Sequence, residues 1–263
     1  MFNGALAPLA DYLDKASARA PDLRFIFILD EFDELPLNLY QRGPVGDAFF
    51  LTLRAISSKS PFGFILVGGE TMARIMRLQG DRLNKFRPMR LDYFDREQHW
   101  SDFETLVRMP VDPWLEITDE ALISLYKESA GNPYFAKLLC SELLTLMINR
   151  RDCHVTNREA LESVRRTLKN ISTNSFEHFW RHDVLAQGDA AEEVSVRRRR
   201  VFLAMADVFR QGGTPQAADI LNSEYVGALE PSEVERELRD LQQRKILIER
   251  DSSLDCNVPF FRK

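Results

Sequence analysis

A chain of 263 residues, 44% hydrophobic and 29% charged, has the make-up of an ordinary soluble globular protein, which excludes a disordered or fibrous one. Its formal net charge of -5 gives no global attraction to nucleic acid or an anionic membrane, so such a partner would require a local basic patch. Three scattered cysteines (Cys140, Cys153, Cys256) supply neither a disulfide framework nor zinc-ligand spacing, and no stretch has the layout of a secretory leader or a membrane span, so a cytoplasmic setting without a membrane partner is expected.

In chain order, residues 5–20 place Leu6, Leu9, Ala10, Leu13 and Ala16 at helical spacing, closed by Pro21. Phe25-Ile26-Phe27-Ile28-Leu29 is an unbroken apolar run flanked by charge, the pattern of a strand buried on both faces of a parallel sheet. Residues 44–58 read as helix, Phe62–Val67 as a second buried strand ended by Gly68-Gly69, residues 71–79 as helix, and Met89–Tyr93 as a third strand. Strands alternating with helices predict a parallel α/β sheet.

From Asp95 to about Gln187 the strong patterns are helical. Thr118 starts one helix, Thr156 with Glu159 forms a capping box for another, and Gly131-Asn132-Pro133 breaks the region between two amphipathic pieces. Gln187-Gly188-Asp189 reads as a linker. Beyond it come helical segments at Val201–Arg210, Thr214–Leu221 and Pro231–Gln243. A hairpin of Ile246–Glu249 and Cys256–Val258 follows, which completes a winged-helix plan.

Asp30 and Glu31 follow the first strand directly. Ligands of open α/β sheets collect at the carboxyl ends of strands. A carboxylate pair there suits Mg²⁺, whose hard charge prefers carboxylate and water oxygens, and a second carboxylate suits an attacking water. The plainer reading is a strand that ends in solvated carboxylates. Asp33 and Glu34 read as loop residues that add to the negative field.

Phe25–Glu31 resembles the Walker B motif of AAA+ and related STAND-type P-loop ATPases. The later parts follow in that family's order: a helix, a buried strand at the sensor 1 position, a further strand, a helical lid and a winged helix. Gly131-Asn132-Pro133-Tyr134-Phe135 resembles the glycine-x-proline lid motif of STAND and archaeal-type ATPases. The resemblance covers nearly the whole chain. It implies an α/β partial P-loop NTPase core over 1–93, an all-α lid over 94–187 and a winged-helix-like domain over 188–263.

It also implies ATP and Mg²⁺ as cofactors. By resemblance Asp30 holds the metal shell, Glu31 activates water, and Gly131, Asn132, Pro133 and Tyr134 line the base. Arg82 and Arg87 stand near the arginine-finger position, with Arg74 a weaker candidate. Where the family has a polar sensor residue this chain has Gly68-Gly69, and Thr71, ahead of Glu70, is the substitute expected to reach the γ-phosphate. The implied function is an ATP-driven signalling switch, of a type that in bacteria often serves in defence.

One part of the family pattern is missing. None of the 12 glycines is followed by lysine, so no P-loop is present in this sequence. The expectation is a chain that starts after the P-loop, as a truncated product, a split subunit or an excised fragment, with a pseudo-ATPase as the other reading. Catalysis by this chain alone is not expected, and its partner would be a second copy or a subunit that supplies the P-loop half. The rival class is a non-catalytic interaction or regulatory winged-helix module, DNA-associated or not.

His178 and His182 stand four apart, but no third ligand is evident and an amphipathic helix explains them. Arg197–Arg200 is the densest basic run, yet the Pro231–Leu241 segment carries Glu233, Glu235, Glu237 and Asp240 against Arg236 and Arg239. An acidic recognition helix is repelled by a DNA groove, so nucleic acid is not favoured. The arginines read as a solvated helix start or a contact to the acidic lid. The 18 phenylalanines read as core, with some apolar surface left bare where a missing half-sheet would lie.

Overall fold

The computed structural model describes residues 2–20, 22–59, 61–69, 71–171 and 189–262. The main division between compact units falls between Met89 and Arg90. His178, His182, Gln187 and Gly188 lie outside the described residues, as does Glu70.

The first unit runs α1 (Phe2–Arg19), β1 (Phe25–Leu29), a 3-10 turn (Phe32–Glu34), α2 (Leu37–Tyr40), α3 (Pro44–Ile56), β2 (Phe62–Leu66), α4 (Met72–Leu78) and α5 (Gly80–Leu83). The two strands pair in parallel, Phe25 opposite Phe62 and Leu29 opposite Leu66. Side chains alternate along a strand, so Phe25 and Phe27 share a face with Phe62 and Phe64, and Phe27 stacks on Phe64 at 4.9 Å. Leu13 of α1 and Ile56 of α3 pack onto that face. Phe49, Phe50 and Leu53 of α3 close a second cluster with Phe32, Tyr40, Ile75 and Leu83.

Two expectations from sequence are corrected here. The first strand was expected to be buried on both faces, but only one is covered: Ile26 is 67% and Ile28 64% exposed, with Ile65 and Val67 bare beside them. An apolar run records a strand suited to two covers, and among the described residues only one is provided. Second, Met89–Tyr93 joins no ladder, and the described parallel sheet has two strands. A strand requires an edge to pair with; here Met89 and Leu91 stay exposed while Tyr93 and Phe94 pack into the core of the second unit.

That unit holds α6 (Trp100–Arg108), β3 (Glu116–Ile117), α7 (Asp119–Ser129), α8 (Pro133–Arg150), β4 (His154–Val155) and α9 (Asn157–Asn170). It continues with α10 (Asp189–Arg210), α11 (Ala217–Leu221), α12 (Pro231–Gln243) and an antiparallel hairpin of β5 (Leu247–Arg250) and β6 (Ser253–Cys256). One apolar core runs through it, from Phe103, Leu125, Phe135 and Leu139 to Met205, Leu241, Leu247 and Phe260. No helix among the described residues is long and apolar enough to cross a membrane.

Helix starts follow local chemistry. The Thr118 side chain accepts the Ala121 N–H at 3.3 Å. Thr156 and Glu159 form the reciprocal capping box, the Glu159 carboxylate accepting the Thr156 N–H at 3.1 Å. The hydrogen bond from Thr156 is the leading cause that holds the Glu159 carboxyl below its usual range. Thr156→Ala is expected to lower unfolding stability by about 1 kcal/mol in urea titration, a usual cost for a lost N-cap.

The arginine run is corrected in part. Arg197 and Arg198 of α10 are withdrawn from solvent and pair with α12, the helix read as an acidic recognition surface, while Arg199 stays exposed. Arg198 Nε donates to Glu237 at 3.1 Å and its Nη2 to Asp240 at 2.8 Å, while Arg197 Nε donates to Glu237 at 3.3 Å. The acidic face of α12 is therefore neutralised from within.

Candidate functional site at the strand ends

The exit of β1 is built by two backbone bonds to one residue. Val67 N–H donates to the Leu29 carbonyl at 2.8 Å, and Phe32 N–H donates to the Val67 carbonyl at 2.8 Å. Asp30 and Glu31 are the two residues between these anchors, lifted out of the ladder and exposed. The Glu31 N–H donates to Asp30 Oδ1 at 2.9 Å, and Glu31 sits in the left-handed region at φ 51 and ψ 37. A non-glycine residue there costs about 1–2 kcal/mol, strain that the flanking ladder bonds and the buried Phe32 sustain.

The pair borders a cleft of ≈ 360 Å³ lined by Asp30, Glu31, Asp33, Glu34, Val67, Gly68 and Gly69. Asp33, read from sequence as a loop residue, is 5% exposed. Its Oδ2 accepts the Gly69 N–H at 2.9 Å and the Thr71 hydroxyl at 2.5 Å. Thr71 thus stands behind the cleft with its proton directed to Asp33. Four carboxylates around one opening favour a cation or a cation-bearing ligand and repel a bare phosphate.

The remaining expected site residues are placed elsewhere. Arg82 is 6% exposed in the first unit's core, ion-paired to Asp47, donating to Gln79 Oε1 at 2.9 Å and lying 5.6 Å over the Phe50 ring. Burial lowers the pKa of this guanidinium from its ordinary value. Arg87 is exposed on the segment after α5, and Arg74 is half-buried on α4.

In the second unit Gly131–Phe135 form their own local group. Gly131 adopts φ +72, and its carbonyl accepts the Phe94 N–H at 2.9 Å. Asn132 caps α8, its side chain accepting from Tyr134 N–H at 2.9 Å and Phe135 N–H at 3.3 Å, and Pro133 fills the first helical turn, where its missing N–H costs nothing. Tyr134 is 56% exposed, edge-on to Phe135.

Among the described residues no three His, Cys, Asp or Glu side chains converge as a cage. Mg²⁺ does not require one; it is commonly held by one or two carboxylates together with waters and ligand phosphates. The exposed Asp30–Glu31 pair fits that mode. Burial pushes the Cys140 and Cys256 thiols up to about 12, which keeps these two in the unreactive thiol form.

No protein-family model matches the chain, and no curated protein matches it. Solved structures do. The Aeropyrum pernix ORC2 protein, solved as ADPNP–ADP complexes, is similar with a TM-score of 0.61 at 14% identity, over 97% of this chain and 66% of that one. A Walker-type ATPase of Pyrococcus abyssi is similar with a TM-score of 0.57 at 14% identity, over 91% of this chain and 62% of that one. This chain therefore spans less than two thirds of the length of either. At such identities the likeness bears on fold alone: the chain shares its fold with these two proteins, one of them a Walker-type ATPase.

Proposed function

We propose that this chain is the Walker B part of an ATP-binding signalling switch of the AAA+/STAND type, acting in the cytoplasm. The observation that carries the reading is the Asp30–Glu31 turn, lifted from the ladder between two Val67 bonds at the carboxyl end of a parallel strand. Asp30 would hold Mg²⁺, and Glu31 would accept a proton from an attacking water. Mg²⁺, when bound, supplies charge neutralisation at the nucleotide phosphates. Gly131, Asn132, Pro133 and Tyr134 are the residues proposed, by the same resemblance, to line the base. Arg87, exposed, is the better placed of the two arginine-finger residues, because Arg82 is held by Asp47 and Gln79.

The phosphate cradle is proposed to come from a P-loop half supplied by a second copy or another subunit. The bare Ile26–Ile28 face supports this, since parallel sheets are stable with both faces covered. A role in bacterial defence is analogy from the STAND resemblance. The rival reading, a non-catalytic regulatory module with a winged-helix tail, draws on the mutual neutralisation of α10 and α12, which also weighs against nucleic acid as the ligand of that helix.

The test is binding of a fluorescent ATP analogue to this chain with and without Mg²⁺. Weak, millimolar binding that requires Mg²⁺ and falls about tenfold in Asp30→Ala is expected, the usual scale for a lost metal-orienting group.

A further inference from the structure

The end of β2 carries two glycines where a polar side chain would be expected, and the geometry gives the reason. A Cβ on Gly68 would stand 2.7 Å from Asp33 Oδ1 and 3.0 Å from Met72 Sδ; one on Gly69 would stand 3.3 Å from Asp33 Oδ2. The space that a side chain would take is already filled by the Asp33 carboxylate, which comes from the neighbouring strand's exit. Neither glycine has the left-handed backbone that would otherwise account for it. The pair provides clearance for a buried acid.

That acid spans two chain segments far apart in sequence. Phe32, one residue before Asp33, is tied to Val67, one residue before Gly68. Asp33 adds the Gly69 N–H and the Thr71 hydroxyl, so the β1 and β2 exits are joined through a side chain as well as through the backbone. The residues that lift Asp30 and Glu31 are thus fixed to the loop that opens α4.

We propose that Asp33 is the positioning residue of this strand-end site, with Gly68-Gly69 as its matched clearance: by accepting from Gly69 and Thr71 it sets the gap between the β2 exit loop and the Asp30–Glu31 turn. The role rests on the nucleotide reading above and requires hydrogen-bond acceptance more than charge. An asparagine retains an acceptor oxygen of the same reach, and an alanine retains none. Gly68→Ala displaces the carboxylate without removing it.

The experiment compares the whole chain with its Asp33→Ala, Asp33→Asn, Gly68→Ala and Thr71→Val variants. Amide hydrogen exchange over residues 67–73 and Mg²⁺-dependent binding of the fluorescent ATP analogue are read side by side. Asp33→Ala and Gly68→Ala are expected to speed exchange in that loop and weaken analogue binding by about tenfold, with β1 amides unchanged. Asp33→Asn is expected to stay within about threefold of the parent in both readouts, allowing for weaker acceptance by an amide than by a carboxylate. If Asp33→Ala does not fold, Thr71→Val, which removes one of the two donors, must show a smaller change in the same direction. Parent-like exchange and binding in Asp33→Ala would overturn the proposal, as would an Asp33→Asn loss equal to that of alanine. A parent chain that binds no analogue with Mg²⁺ overturns the nucleotide reading itself, and the positioning role with it. Analogue binding lost in Asp30→Ala but untouched in Asp33→Ala removes the positioning role alone.

Discussion

Replacing Glu237 by glutamine is expected to destabilise the second unit by about 3–5 kcal/mol, measured as a lower urea midpoint at unchanged m-value. The Arg198 and Glu237 side chains are each 3% exposed, and the Asp240 partner of Arg198 is 27% exposed. Taking two charges out of water is costly, and their mutual attraction offsets that cost only while both are present. Neutralising Glu237 removes the buried carboxylate charge that faces this guanidinium, and Arg197 loses its 3.3 Å ion pair as well. The same reasoning makes the double replacement Arg198→Met with Glu237→Leu nearly neutral, because Arg197 keeps Glu233 at 3.5 Å and Asp240 keeps Arg244 at 3.5 Å. A single mutant as mild as the double one would place the pair in effective contact with solvent.

Gly131→Ala is the second large effect. The glycine's φ of +72 is one that side-chain-bearing residues avoid, at about 1–2 kcal/mol. Its added Cβ would also stand 2.3 Å from the Phe94 carbonyl oxygen, which accepts the Tyr126 hydroxyl at 2.8 Å. The backbone must shift and that bond is lost, so the total loss is expected to exceed about 2 kcal/mol in chemical unfolding. Its neighbour Ala130 serves as an internal comparison. It already sits at φ 50, and Ala130→Gly is expected to be neutral or to stabilise by up to about 1 kcal/mol. If both substitutions have the same sign, the turn's backbone does not set the lid motif's geometry.

What sequence could and could not disclose follows from the range of each interaction. Caps at Thr118 and Thr156 lie within three residues of their partners, so spacing alone places them. The Phe25–Leu29 strand and its acidic exit are equally local. Asp33 was not legible as more than a loop acid, because its partners Gly69 and Thr71 lie 36 and 38 residues downstream. The one available signal was the unexplained Gly68-Gly69 pair. Arg198 and Glu237 are separated by 39 residues, so the basic run and the acidic helix were weighed apart when each is the other's partner. Burial of the first strand was overread for a different reason: alternation and apolarity report what a strand is suited to pack against, and Ile26 and Ile28 have no cover among the described residues. Met89 and Leu91 make the same point for pairing, since β-forming residues without an adjacent edge do not form a strand.

The most direct test of the strand-end account is the titration of this chain with a fluorescent ATP analogue, with Mg²⁺ or with EDTA, beside Asp30→Ala and Glu31→Gln. Binding is expected to be abolished by EDTA, weakened about tenfold in Asp30→Ala and left intact in Glu31→Gln, since the role proposed for Glu31 is toward water and not toward the bound ligand. Binding that is indifferent to Mg²⁺ and equal in Asp30→Ala would contradict this account, and would leave the acidic turn as a solvated strand end.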